Sequence, residues 1–139
     1  MSLKKEALII KFKEIFNYEA EEDFMPKVKN ARKYICQGKY KMDELIKIFD
    51  TSVLSNGKTG LVLTKDSVCV KDSANYTSKF IVKYEDIDKV YLNEEHSIGS
   101  ELSSIDLELR YGKRYQVSIL DEKQNQILEF IEFAKKLYI

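Results

Sequence analysis

Ile105-Asp106-Leu107-Glu108-Leu109-Arg110 alternates apolar and charged residues without interruption. Successive side chains of a strand point to opposite faces. This period of two therefore places Ile105, Leu107 and Leu109 on one side, and Asp106, Glu108 and Arg110 on the other. Such a pattern marks an antiparallel strand with one face on a core and the other in water. Tyr111-Gly112-Lys113 then turns the chain, and residues 114–120 repeat the alternation with Tyr115, Val117 and Ile119 on one side.

Upstream of this stretch, turn residues recur about every ten positions, the spacing of an antiparallel all-β unit. Polar residues 94–103 precede it, after a strand at 89–93 and a short turn at 84–88 that points Ile87 inward. Residues 78–84 alternate Phe80, Val82 and Tyr84 with Lys79, Ile81 and Lys83, and 72–77 are polar loop. Residues 60–65 and 67–71 read as a hairpin around Lys65-Asp66. Asn56-Gly57 supplies the positive φ that a tight turn before them needs. Leu45, Ile46, Ile48, Phe49, Val53 and Leu54 form a first long strand, although residues 43–49 can also be read as a helical turn.

Helices flank the strands. Ile127, Phe130, Ile131, Ala134, Leu137 and Tyr138 recur at spacings of three and four, so the C-terminal helix has a continuous apolar face that must dock. Asp121 with Gln124 three residues later has the spacing of a capping box. Leu8, Ile9, Phe12, Ile15 and Phe16 form a similar stripe among lysines and glutamates over residues 3–17. Pro26 suits the first turn of a second helix, which carries Val28, Ala31, Tyr34 and Ile35 on one face and ends at Gly38. The expected fold is α+β: a seven-stranded antiparallel barrel or sandwich at about 43–139, capped by the C-terminal helix, with two helices in an N-terminal extension, 1–42.

The strand and turn residues of this unit also carry a family likeness. They are Glu44-Leu45-Ile46-Lys47-Ile48-Phe49-Asp50-Thr51-Ser52, Gly60-Leu61-Val62-Leu63-Thr64-Lys65-Asp66-Ser67-Val68 and Ile81-Val82-Lys83-Tyr84-Glu85-Asp86-Ile87. With the terminal helix, they resemble the bacterial pleckstrin-homology-like (PH/GRAM-like) domains over residues of about 43–139. The resemblance implies a non-catalytic scaffold that binds peptides, lipids or further copies of itself. The chain departs from the lipid-binding eukaryotic members in two respects. Lys47, Lys58 and Lys65 are spread out where those members cluster basic residues, and Phe130 or Phe133 takes the place of a helix tryptophan.

Composition narrows the function. The 139 residues hold 23 Lys plus Arg and 23 Asp plus Glu, a net charge of zero, so nothing attracts nucleic acid or an acidic membrane at long range. The four-residue apolar run from Ala7 to Ile10 is too short for a signal-peptide core or a membrane span, and a soluble, cytoplasmic protein is expected. Cys36 and Cys69 are far apart in sequence and lack the spacing of a disulfide framework or metal site. Gly57-Lys58-Thr59 has the end of a phosphate-loop motif but lacks its first glycine, Ser52 standing there, and a strand follows where a helix is required. His96, the only histidine, sits among Glu94, Glu95 and Ser97 in a polar loop without converging partners.

No catalytic residue, metal ligand, cofactor or small-molecule substrate follows from these readings. The expectation is a non-enzymatic interaction module that binds a protein partner or forms a homo-oligomer, with Leu8, Phe12, Ile15 and Phe16 as the candidate partner-binding stripe. That stripe covers either the chain's own sheet or another surface. The alternative is a regulator that binds anionic membrane or nucleic acid through Lys27, Lys29, Arg32, Lys33, Lys39 and Lys41, a stretch without an acidic residue and interleaved with Tyr34 and Tyr40. Against this alternative, the acid-rich residues 85–108 offer those cations an internal or intersubunit match. Tyr18, Tyr76, Tyr91 and Tyr111 are expected to pack at sheet edges.

Overall fold

The structure, a computed structural model, describes residues 3–16, 25–51, 56–71, 79–93, 104–117 and 123–138. Its strands are β1 (Leu45–Asp50), β2 (Gly60–Thr64), β3 (Ser67–Lys71), β4 (Lys79–Lys83), β5 (Ile87–Asn93), β6 (Ser104–Leu109) and β7 (Arg114–Val117). They form two antiparallel sheets, one of four strands in the order β1-β2-β3-β4 and one of three in the order β5-β6-β7. Helix α1 spans Leu3–Ile15 and α3 spans Gln124–Leu137, while α2 (Met25–Asn30) continues into a wider π-type turn at Ala31–Ile35.

Alternation places Leu61, Leu63, Val68, Val70, Phe80 and Val82 of the first sheet against Val90, Ile105, Leu107 and Val117 of the second. Ile127, Phe130, Ile131 and Ala134 of α3 close this core, as their continuous stripe requires. Each fully buried side chain of this size contributes about 1.5–3 kcal/mol. Leu8 and Phe12 of helix α1, with Phe16 just after it, join the same core. The Phe12 ring stacks on Phe16 at 4.5 Å and meets Phe130 edge-on at 6.2 Å, and Phe16 lies 5.5 Å from Phe49 of β1.

A second apolar cluster lies on the other face of the four-stranded sheet. Ala31, Ile35, Cys36 and Tyr40 cover Ile48, Val62 and Cys69 there, with Val28, Leu45 and Ile81 at its margin. Strands β2 and β3 are consequently buried on both faces, which explains why Leu61-Val62-Leu63 and Val68-Cys69-Val70 are unbroken apolar runs. A register shift between Leu45 and Lys47 lets β1 serve both clusters: Leu45 and Ile48 pack on the outer one, Ile46 and Phe49 on the inner.

Several boundaries differ from expectation. Residues Met42–Glu44 form a 3-10 turn, while β1 begins at Leu45, the first residue expected of it. Asn56-Gly57 belongs to a longer connection rather than a tight hairpin, because Thr51 N–H donates to Thr59 O at 3.1 Å and Asp50 is paired with Gly60. Tyr84–Asp86 forms a second 3-10 turn, so β5 begins at the buried Ile87. Gly38 has φ 72° and its N–H donates to Arg32 O at 2.9 Å, the helix ending its glycine suggests. Val53, Leu54, Ile119, the loops at 72–77 and 94–103, Tyr18, Tyr76, His96 and the Asp121 cap lie outside the described residues. Among the described residues, no helix is long and apolar enough to cross a membrane.

Candidate functional site

Among the described residues, β4 is paired on one side only. The β3–β4 ladder pairs Ser67 with Lys83 and Cys69 with Ile81, and Tyr84 N–H donates to Asp66 O at 3.0 Å. Opposed residues of an antiparallel pair alternate between hydrogen-bonded and non-bonded. The main-chain groups of Lys79, Ile81 and Lys83 therefore point away from β3, and they meet no main-chain partner among the described residues. Beside this edge lies an open cleft of about 470 Å³, bordered by Tyr40, Asp66, Lys83, Tyr111 and Tyr115. Tyr115 stacks on Phe80 of β4 at 4.4 Å, while Tyr111 is 68 % exposed, contrary to the edge packing expected of it. Tyr91 does pack at an edge, donating to Glu108 Oε1 at 2.9 Å.

A polar network sets one wall of the cleft. Tyr40 Oη lies 2.6 Å from Asp66 Oδ1 and 2.6 Å from Ser67 Oγ, and Thr64 Oγ1 lies 2.8 Å from Ser67 Oγ. Burial and then the Asp66 hydrogen bond push the Tyr40 phenol well above its ordinary range. Tyr84 donates to Thr64 O at 2.9 Å and is pushed up mainly by its complete burial. Lys65 pairs with Glu44, holding that carboxyl below its ordinary range, and Lys83 stands 4.0 Å from Asp66. Thr64 and Ser67 are fully buried. Their hydroxyls hold the hairpin turn and are not offered to a substrate.

The candidate partner stripe sits inside the fold. Leu8, Phe12 and Phe16 are buried, and Ile15 packs partly against them, so a partner reaching this stripe would first have to displace α3. Of the two coverings the sequence leaves open, the chain's own core occupies the site.

The six basic residues of the second segment have different neighbours. Lys27 stands 3.9 Å from Asp50, Arg32 Nε donates to Tyr40 O at 2.5 Å, and Lys39 lines the cleft. Lys29 is exposed and Lys41 caps the turn before β1, its N–H donating to Glu44 at 2.7 Å. Lys33 joins a different group. The ammonium groups of Lys33, Lys58 and Lys71 lie 5.3, 5.3 and 5.2 Å from the centroid of the Tyr34 ring. Sequence reading missed Lys58 and Lys71 because they belong to a loop and a strand end that only the docking of residues 31–35 brings together.

Cys36 and Cys69 are both buried and free. Distant in sequence, they become neighbours: hydrogen bonding between the two thiols and then burial push the Cys36 thiol far up. No cluster of three His, Cys, Asp or Glu suited to a metal occurs among the described residues. Comparison with known proteins finds no match to this chain among family models, curated proteins or solved structures.

Proposed function

We propose that this chain is a non-enzymatic interaction module that receives an extended segment of a protein partner along the open edge of β4. The observation that carries this reading is the set of outward-directed main-chain groups at Lys79, Ile81 and Lys83 beside a tyrosine-bordered cleft. An added strand draws its affinity from such groups and its selectivity from alternate side chains, and so requires no catalytic constellation. The order of four strands, three strands and a closing helix supports a PH-like sandwich as the scaffold. Two free thiols suit a reducing compartment, and a cytoplasmic location is proposed on that ground.

A foreign partner fits this edge better than a second copy. Antiparallel pairing of two β4 strands about Ile81 would set each Lys79 opposite a Lys83, and like charges directly opposed are destabilising.

The test is selection of binders from a degenerate peptide library, followed by amide exchange on the full chain. The expected result is protection at Lys79, Ile81 and Lys83. Lys83→Pro removes one outward N–H at a residue whose φ of −75° and ψ of 140° proline accepts. It should abolish binding, whereas Lys83→Ala should not. Retention of full affinity by Lys83→Pro would exclude the edge as the site.

A further inference from the structure

We infer that the segment taken up along β4 carries a phosphate monoester, which Lys33, Lys58 and Lys71 receive around Tyr34; this rests on the β4 reading above. The three ammonium groups come from the turn at 31–35, the β1–β2 connection and the end of β3, yet no two are farther apart than twice their 5.3 Å distance from one ring. Bringing like charges together is unfavourable, and the face of one ring shared by three cations offsets this less fully than an anion would. Among the described residues, no carboxylate pairs with any of the three. The Tyr34 hydroxyl likewise has no hydrogen-bond partner among the described residues and is available as a donor to a phosphate oxygen.

The cluster is also built in advance. Asn30 Nδ2 donates to Asn56 O at 2.8 Å, and Gly57, at φ 78°, lies so close to α2 that a Cβ there would overlap the Lys27 carbonyl. The connection that carries Lys58 is thus held to α2 at Asn56 and Gly57 before any ligand arrives, which lowers the ordering cost of binding.

Chemistry and position select the ligand. A phosphomonoester carries nearly two negative charges at neutral pH and suits three cations better than a diester with one. A single-stranded nucleic acid would need an open aromatic face for stacking, and three ammonium groups already stand over this ring. Among the described residues, the large exposed apolar side chains, Leu3, Ile10 and Tyr111, belong to elements other than those that carry the three lysines, and none of these elements offers the cluster an exposed apolar anchor for a bilayer. Lys71 is the register partner of Lys79, which sets the cluster at one end of the open β4 edge. A chain running along that edge passes Lys79 and brings a phosphorylated side chain to Lys71.

The experiment compares two degenerate peptide libraries on the full chain, one with a fixed central phosphoserine and one with serine, against wild type, Lys58→Ala/Lys71→Ala and Lys83→Pro. The phosphoserine library should bind about tenfold tighter than the serine library to wild type. Lys58→Ala/Lys71→Ala should erase that preference while leaving serine-peptide binding, and Lys83→Pro should abolish both. The replaced lysines are surface residues, and an unchanged unfolding midpoint will verify that the variant folds. Equal binding of the two libraries to wild type overturns the phosphate site while leaving the β4 reading intact. A phosphate preference that survives Lys83→Pro overturns the β4 reading instead. Binding of phosphatidic acid vesicles in place of the phosphoserine library, with the same loss in Lys58→Ala/Lys71→Ala, overturns the peptide as the ligand.

Discussion

The hydroxyl of Tyr40 stands 2.6 Å from the carboxylate of Asp66, tying the segment before β1 to the turn between β2 and β3. It shares that position with Ser67 Oγ, also at 2.6 Å. One phenol thus connects the covering of the outer sheet face to the wall of the cleft.

Removing the hydroxyl with Tyr40→Phe leaves Asp66 and Ser67 short of a partner and should cost about 1–3 kcal/mol. The pH dependence is a second readout. Because the folded-state pKa of Tyr40 is raised, its stabilisation is complete below the ordinary tyrosine value of about 10 and is lost as pH rises toward the folded value. Denaturant midpoints of Tyr40→Phe should therefore fall less steeply above about pH 10 than those of wild type. Parallel curves would mean that this phenol does not contribute to alkaline sensitivity.

Helix α1 is part of the core. Phe12→Ala should destabilise by about 3–5 kcal/mol, and a double-mutant cycle with Phe130→Ala should return a coupling of about 0.5–1.5 kcal/mol from the edge-on ring pair. If the loss is only a few tenths, α1 is not held against α3 in solution.

Gly57 combines a left-handed φ of 78° with close approach to the Lys27 backbone. Gly57→Ala should cost about 1–3 kcal/mol. It should also raise amide exchange across 25–35, because the helix must move away from the loop. Gly38, with φ 72° and no atom near its Cβ position, supplies the control in which strain acts without a clash.

Glu44 reports acid sensitivity. Hydrogen bonds from Lys65 and from the Lys41 N–H hold its carboxyl below the ordinary range. Its contribution is present above the ordinary glutamate pKa of about 4.3 and disappears as pH falls through the lower folded value. Glu44→Gln should flatten the stability curve across that acid window, as read by urea midpoints. An unchanged slope would leave the Lys65 pair without a role in acid unfolding.

Strand periodicity determined much of this molecule directly. The core sides of the alternations at 105–110 and 114–117, the hairpin at Lys65-Asp66 and the apolar stripe of α3 are local signals, since each follows from whether neighbouring side chains share a face. The polar side of the first alternation departs from expectation, because Asp106 is fully buried and accepts from Asn93 Nδ2 at 2.9 Å and Ser104 Oγ at 3.0 Å instead of facing water. Residues 61–63 and 68–70 carried a further signal in their lack of alternation, which records burial on both faces. What covers those faces was not written in either strand. Tertiary packing decided that 31–36 seals the outer face, that Leu8, Phe12 and Phe16 belong to the inner core, and that Cys36 meets Cys69. It also gathered Lys33, Lys58 and Lys71 at Tyr34. The physical reason is the same throughout: an amphipathic face states that it must be covered, while its partner depends on contacts between residues distant along the chain.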